Sequence, residues 1–400
     1  METAMRLSPN QQFRRGRLIG ALEAVCQQLE LSQTQNHEAK SHYEGVGRWL
    51  AGSSHPALAG MSIYVQGSTA IGTTVKPIGR NEHDVDLIAK LQEIGRRYPP
   101  ALVKKLIGDR LKEHGTYERL LEEMCRCWRL GYANKFHLDI TPSVPNPSCA
   151  NGGELVPDKE LREWKASNPK GFKALFERRA ALQPRLRVQK GTLTFDERAR
   201  ASVEPYPESG GFKGVLRRTV QIGKRHRDVH FDRRPNECAP ISVIVTTLLA
   251  RSYEWCVLNR EFDDELELMG EVIEGMVHFV EHEGGRWYIW NETTANENFA
   301  EKWNSHPDRA ASFFAWHRKL AEDMETLRTI EGLDRIARSL NDALGEGPTS
   351  VALAHFEKSI SAPRASGTLE YGTKGLVAAA PAIIAARPSV SVARNTFFGR

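Results

Sequence analysis

Apolar and polar positions alternate in short runs through the first part of the chain and recur at helical spacing through the second. In the run Lys135-Phe136-His137-Leu138-Asp139-Ile140-Thr141-Pro142, the apolar Phe136, Leu138 and Ile140 alternate with His137 and Asp139. That is the mark of a half-buried strand. Residues 61–66, 84–90, 126–131 and 135–141 read as strands. Helices are expected over 10–35, over 100–112 where Pro99-Pro100 starts one, and over 158–179. Residues 183–211 contain Pro184, Pro205, Pro207, Gly210 and Gly211 without sustained periodicity, and read as a crossing segment. Beyond it, helices are expected at 212–226, 264–282, 296–320 and 321–343. The apolar run over 241–250 has enough β-branched residues to suit a strand as well as a helix.

The strand pattern has a chemical consequence. Side chains alternate faces along a strand, so Asp84 and Asp86 share one face while Val85 and Leu87 reach the core. Two like charges this close repel unless a cation lies between them. Asp139 projects from the polar face of its own strand. If the two strands lie side by side, three carboxylates converge, a donor set suited to Mg²⁺. Two such ions can clamp an in-line displacement at a phosphorus atom. Gly67-Ser68 fits the same chemistry, because glycine lets the backbone approach a phosphate and the serine hydroxyl adds a donor.

Taken singly, each piece is most often structural: Gly-Ser is usually a turn and Asp-x-Asp a solvated strand edge. Their order is what makes the signal, with sixteen residues from Ser68 to Asp84 and then an isolated strand aspartate. Glu82-His83-Asp84 offers a second acidic pair of the same spacing, but Glu82 follows the turn-like Gly79-Arg80-Asn81 and is expected to face solvent. His83 and His137 are expected to be hydrogen-bonded groups rather than metal ligands.

The pattern Gln66-Gly67-Ser68, Gly72-Thr73, Asp84-Val85-Asp86 and Leu138-Asp139-Ile140-Thr141-Pro142 resembles the bacterial cGAS/DncV-like nucleotidyltransferases (CD-NTases) of CBASS anti-phage systems, within the polymerase-beta-like superfamily. The resemblance extends to Leu161-Arg162-Glu163-Trp164, to Ser167-Asn168-Pro169-Lys170-Gly171-Phe172 and to Lys224-Arg225-His226-Arg227-Asp228 followed by Ile241-Ser242. Asn296-Glu297-Asn298-Phe299 with Lys302-Trp303 is similar to a late helical segment of that family, so the likeness runs from about residue 60 to about 320.

The resemblance implies an α+β, two-lobed nucleotidyltransferase. A mixed β-sheet catalytic lobe with flanking helices (1–205) would face a helical lobe (206–360) across an active-site cleft, followed by a flexible tail (361–400). It implies synthesis of a cyclic di- or oligonucleotide second messenger from ATP, GTP or other triphosphates, with release of pyrophosphate. By position, Asp84 and Asp86 would bind two Mg²⁺ ions, for which Mn²⁺ can substitute, and Asp139 would complete the site and help deprotonate the acceptor hydroxyl. Gln66, Gly67 and Ser68 would hold the donor phosphates, and Lys224 and Ser242 would reach the triphosphate from the helical lobe. The product would act on a downstream effector without a stable complex. The resemblance and its length both favour a helix over 241–250. Val243 stands where animal relatives often carry a base-stacking aromatic, which leaves Trp164 and Tyr253 as weak alternatives. A template-independent RNA nucleotidyltransferase and a non-catalytic nucleotide- or RNA-binding module remain the competing readings on the same fold.

Composition changes little of this picture. The chain has 400 residues, 40% of them hydrophobic, enough for two domains or lobes. No run of about eighteen apolar residues is present and the N-terminus carries no apolar leader, so a soluble, cytoplasmic protein is expected. The six cysteines are scattered and suggest reduced thiols rather than a zinc ribbon. Net charge is only +5, but eight Lys and Arg lie between Lys213 and Arg234, a stripe expected to serve triphosphate binding. Nine acidic residues and no Lys or Arg lie between Glu261 and Glu283, which excludes that segment from a phosphate groove. Phe299 and Trp303, four apart, and the cluster Phe313, Phe314 and Trp316 are expected to be helix packing rather than base contacts. An exposed end near Gly399 would be compatible with conjugation by a ubiquitin-transfer-like enzyme, as in some operons of the family.

Overall fold

The computed structural model describes residues 9–79, 83–94, 97–132, 136–187, 213–331, 333–351, 353–354, 369–372, 375–378 and 390–391. Two helices come first, α1 (Pro9–Gln28) and α2 (Gln33–Ala51). They are separate because Ser32 and Gln35 form a capping box that starts α2, each side chain bonding the other's backbone N–H.

A seven-stranded mixed sheet is then built from β1 (Ser62–Val65), the short α3 (Gly67–Ala70), β2 (His83–Lys90), α4 (Pro100–Lys112), α5 (Gly115–Leu120), β3 (Leu121–Glu123), β4 (Trp128–Tyr132), β5 (Phe136–Pro145), β6 (Glu154–Pro157) and β7 (Trp164–Ser167), closed by α6 (Pro169–Ala180). The spatial order is β1-β2-β5-β4-β3, with β6 added to β5 and β7 to β6. Strands β2 and β5 run parallel, and their neighbours β1 and β4 are antiparallel to them. Val85, Leu87, Leu138 and Ile140 are fully buried on one face, where they meet Val103, Ile107 and Leu111 of α4. Gly108 of α4 is required there, since any Cβ would overlap the Trp128 indole, whose N–H donates to the Lys104 carbonyl at 2.8 Å.

The helix expected over 158–179 is shorter than its periodicity suggested. Residues 164–167 are the edge strand β7, and α6 starts only at Pro169. Two local features decide this. The Asp158 carboxylate accepts from the backbone N–H of Arg162 and Glu163 and closes a turn, and the Asn168 side chain caps Gly171 N at 2.9 Å with Pro169 in the first helical turn.

The second half comprises β8 (Arg185–Leu186), α7 (Val215–Asp232), α8 (Ser242–Asn259), β9 (Glu261–Phe262), α9 (Glu265–Gly275), the hairpin β10 (Glu281–Glu283) and β11 (Arg286–Tyr288), α10 (Pro307–Thr329) and α11 (Leu333–Leu344). The ambiguous apolar run is helical: Ile244, Val245, Leu248 and Leu249 of α8 are buried in a core shared with α7, α9 and α10. Leu18, Leu22 and Val25 of α1, with Leu29 just after it, belong to this second core rather than to that of the sheet.

Three helical expectations shift. The one over 264–282 ends at Gly275, where a 3-10 turn leads to a hairpin whose bend is made by Gly284 and Gly285 at φ 56° and 75°. The one over 296–320 begins only at Pro307, so Phe299 and Trp303 do not share a helix, although Trp303 still packs on Phe313 with ring centroids 5.0 Å apart. The break expected at 320 lies at 330, because α10 runs unbroken to Thr329. Within the stretch read as a tail, β12 (Leu369–Gly372), β13 (Gly375–Ala378) and β14 (Val390–Ser391) form an antiparallel sheet. Gly399, like Glu82, Lys135 and residues 188–211 of the crossing segment, lies outside the described residues. Among the described residues no helix is long and apolar enough to cross a membrane.

Candidate active site

The parallel register of β2 and β5 sets Asp86 directly beside Asp139 and Asp84 beside His137. The three aspartates therefore share the sheet face opposite α4, as alternation requires. They differ in surroundings: the Asp84 side chain is 64% exposed and that of Asp139 16%. Asp86 is enclosed, and burial, followed by the charges of Asp139 and Asp84, pushes its carboxyl up to about 6 against the opposing pull of Arg129 and Lys224. A site that raises one carboxyl with two others is short of positive charge.

Gly67 forms the floor beside them. Gln66 N–H donates to the Asp86 carbonyl at 2.8 Å, which ties the end of β1 to β2, and Gly67 follows with φ 65°. An added Cβ at Gly67 would stand 2.5 Å from Asp86 Oδ2. Ser68 is half-buried in α3, and its carbonyl accepts from Thr73 N–H at 2.9 Å, which closes the loop over the site.

Lys224 of α7 enters from the other side. It is 4% exposed and donates to the Thr73 carbonyl at 3.2 Å and to Thr73 Oγ1 at 3.0 Å. Burial, helped by Arg227, pulls its ammonium down to about 7, while Asp228 and Asp86 oppose the shift. Ser242 is exposed at the start of α8, and its hydroxyl accepts from Arg227 Nη1 at 2.8 Å. The structure thus draws Lys224 to the aspartates and holds Ser242 through Arg227.

Several expectations are corrected. The basic stripe is largely consumed inside the protein: Lys213 pairs with Glu30 at 2.9 Å, Arg217 with Glu177, Arg218 with Glu23 and Glu30, and Arg225 donates to the Leu344 carbonyl at 2.7 Å. Of the weak base-stacking alternatives, Tyr253 is buried with its hydroxyl on the Leu182 carbonyl, and Trp164 is half-buried against the sheet core with its N–H on the Tyr98 carbonyl. His83 is buried without a hydrogen bond among the described residues rather than paired as expected, and burial, with Lys76, drives it to the neutral form at about 4.

Sequence reading missed Arg129. Its guanidinium grips Asp139 with two hydrogen bonds, Nε to Oδ1 and Nη2 to Oδ2, each 2.7 Å. The available signal was its place as the polar position between Trp128 and Leu130 in a neighbouring strand. Among the described residues no three His, Cys, Asp or Glu side chains are arranged to hold an ion. The donor set nevertheless fits a divalent metal: it is all carboxylate oxygen, Asp86 is destabilised by burial and by its neighbours' charge, and Gly67 leaves room against it.

The Second Messenger Oligonucleotide or Dinucleotide Synthetase (SMODS) domain matches residues 18–179. The chain is 28% identical over 386 residues to a c-di-GMP synthase of Roseivirga ehrenbergii, with 96% of this chain and 97% of the relative covered. It is 23% identical to the cyclic dinucleotide synthase CdnG of Bradyrhizobium diazoefficiens, over 94% of this chain and 92% of the relative. The solved structure of that CdnG in complex with GTP superposes with a TM-score of 0.63 at 19% identity, over 85% of this chain and 99% of the other, and shows the same two-lobed fold. Residues 18–179 thus carry a SMODS nucleotidyltransferase domain, and along nearly its full length the chain is similar to cyclic dinucleotide synthases of the cGAS/DncV-like (CD-NTase) type.

Proposed function

We propose that the protein joins two nucleoside triphosphates, at least one of them GTP, into a cyclic dinucleotide with release of pyrophosphate, as a signal in anti-phage defence. The observation that carries this reading is the pairing of Asp86 with Asp139 beside Gly67, next to a chain relative named for c-di-GMP synthesis. The product then acts on a downstream effector.

Enzymes of this kind use divalent metal ions. Asp84 and Asp86 would hold two Mg²⁺ ions, with Mn²⁺ able to substitute, and Asp139 would share one of them. When bound, the ions make the acceptor hydroxyl more acidic and offset charge on the departing pyrophosphate. The chain's own groups do the rest. Asp139 takes the hydroxyl proton, a role open to a carboxylate next to the attacking oxygen. Gln66, Gly67 and Ser68 hold the donor phosphates, where the missing Cβ permits close approach. Lys224 meets the triphosphate as a cation, because an anion beside a buried amine restores the charge that burial removes. Ser242 adds a hydroxyl at the start of α8 once Arg227 yields it. The proposed lobe boundary near residue 205 lies in the segment outside the described residues.

The test is incubation with all four labelled triphosphates and Mg²⁺ or Mn²⁺, then phosphatase and mass spectrometry. A phosphatase-resistant cyclic dinucleotide containing guanine is expected. Product that forms only as an extension of an added RNA primer would replace this reading with the tailing enzyme, a choice the internally paired stripe at 213–234 does not favour.

A further inference from the structure

Arg129 of β4 faces Asp139 of β5 across their antiparallel register, and its fork is matched to both carboxylate oxygens. The same guanidinium places Nη2 3.8 Å from Asp84 Oδ1. An arginine is never deprotonated in a protein, so a fixed positive charge stands among the three aspartates. Lys224 is the other cation that Asp86 feels, and its ammonium is committed to Thr73.

We propose that Arg129 is the resident cation of this site: it holds Asp139 while no metal is bound, and a divalent ion binds that carboxylate against the repulsion of the guanidinium. The inference rests on the aspartates being metal ligands. Its physics is simple. The guanidinium lets three neighbouring carboxylates coexist without an ion, because a bidentate arginine pair is strong and directional. Each carboxylate oxygen keeps a second lone-pair direction. An incoming ion therefore meets Asp139 with Arg129 still attached, and the two cations repel across one carboxylate. Arg129 is a positioning residue, which sets the resting geometry of Asp139 and the affinity of the site for metal.

The experiment compares the full chain with Arg129→Gln and Arg129→Lys, and measures Mn²⁺ binding by electron paramagnetic resonance and thermal unfolding with EDTA or with millimolar Mn²⁺. Loss of the charge should tighten Mn²⁺ binding about tenfold. Arg129→Gln should unfold at lower temperature in EDTA and recover most of that loss with Mn²⁺, whereas Arg129→Lys should stay within about threefold of the parent affinity because it keeps the charge. Unchanged or weaker Mn²⁺ binding by Arg129→Gln, a stability loss equal with and without Mn²⁺, or a chain that Mn²⁺ does not rescue would overturn the inference. Asp86→Asn separates the two levels: if the parent shows no Mn²⁺ binding sensitive to Asp86→Asn, the metal reading itself fails, while an intact site indifferent to Arg129 sinks only the inference.

Discussion

The backbone of Gly67 lies so close to Asp86 that a methyl group on its α-carbon would stand 2.5 Å from Oδ2. Gly67 also sits at φ 65°, where an L side chain is strained. Gly67→Ala should therefore displace Asp86 and narrow the phosphate approach. We expect kcat/KM to fall by about a hundredfold or more, a loss typical of an ångström-scale misplacement. Stability should drop by only about 1–2 kcal/mol. Steady-state kinetics beside a urea titration checks both.

Asp86 and Asp139 should differ in stability while both variants lose synthesis. Asp86 has a folded-state value of about 6 against an ordinary 3.8, so the metal-free fold binds more protons than the unfolded chain between those values. Its ionisation destabilises the fold as pH rises through that window. Metal-free Asp86→Asn should be at least as stable as the parent above pH about 6, and the difference should vanish below about 4. Asp139→Asn leaves the Arg129 fork without the carboxylate that accepts both of its hydrogen bonds and should cost about 1–3 kcal/mol at neutral pH. Calorimetry in EDTA distinguishes the two.

Lys224 carries the opposite sign. Its ammonium titrates at about 7 in the fold against 10.5 when free, so the unfolded chain binds the proton more readily between those values. The penalty is fully present below about 7 and fades as pH rises towards 10.5. Nucleotide-free Lys224→Met should be more stable than the parent at pH 7, with the gap closing at higher pH. The same variant should bind triphosphate at least tenfold more weakly at pH 7, because the anion loses a buried charge-assisted donor. A pH series of melting temperatures and a nucleotide titration test this.

Arg218 joins α1 to α7 from a position 2% exposed, where it serves both Glu23 and Glu30. Arg218→Ala takes a cation from two acidic groups, one of which, Glu30, is 4% exposed and keeps Lys213 and Gln221. A loss of about 3–5 kcal/mol is expected, the range for breaking a buried pair by removing one partner. Chemical denaturation measures it, and an unchanged midpoint would show that the Arg218 pairs do not hold α1 in place.

Alternation along β2 and β5 was enough to place Asp84, Asp86 and Asp139 on polar faces, because a period of two depends only on the chain's own pleat. The order of Gly67-Ser68 before them was equally legible, whereas the apolar run of α8 suited a strand as well as a helix and only its length and the family resemblance favoured the helix. Tertiary structure decided what local pattern cannot hold. Residues 154–157 and 164–167 became strands because Val144 and Pro145 extend β5 far enough to pair with Leu155 and Glu154, and β6 then pairs with β7. Lys213, Arg217 and Arg218 of the basic stripe met Glu23, Glu30 and Glu177 from elements far away in the chain, so their charge was consumed before any ligand arrived. Arg129 found Asp139 only through the β4–β5 register. Periodicity belongs to one segment and its backbone, whereas a charge's partner is set by which segments pack together, and that is a property of the folded chain.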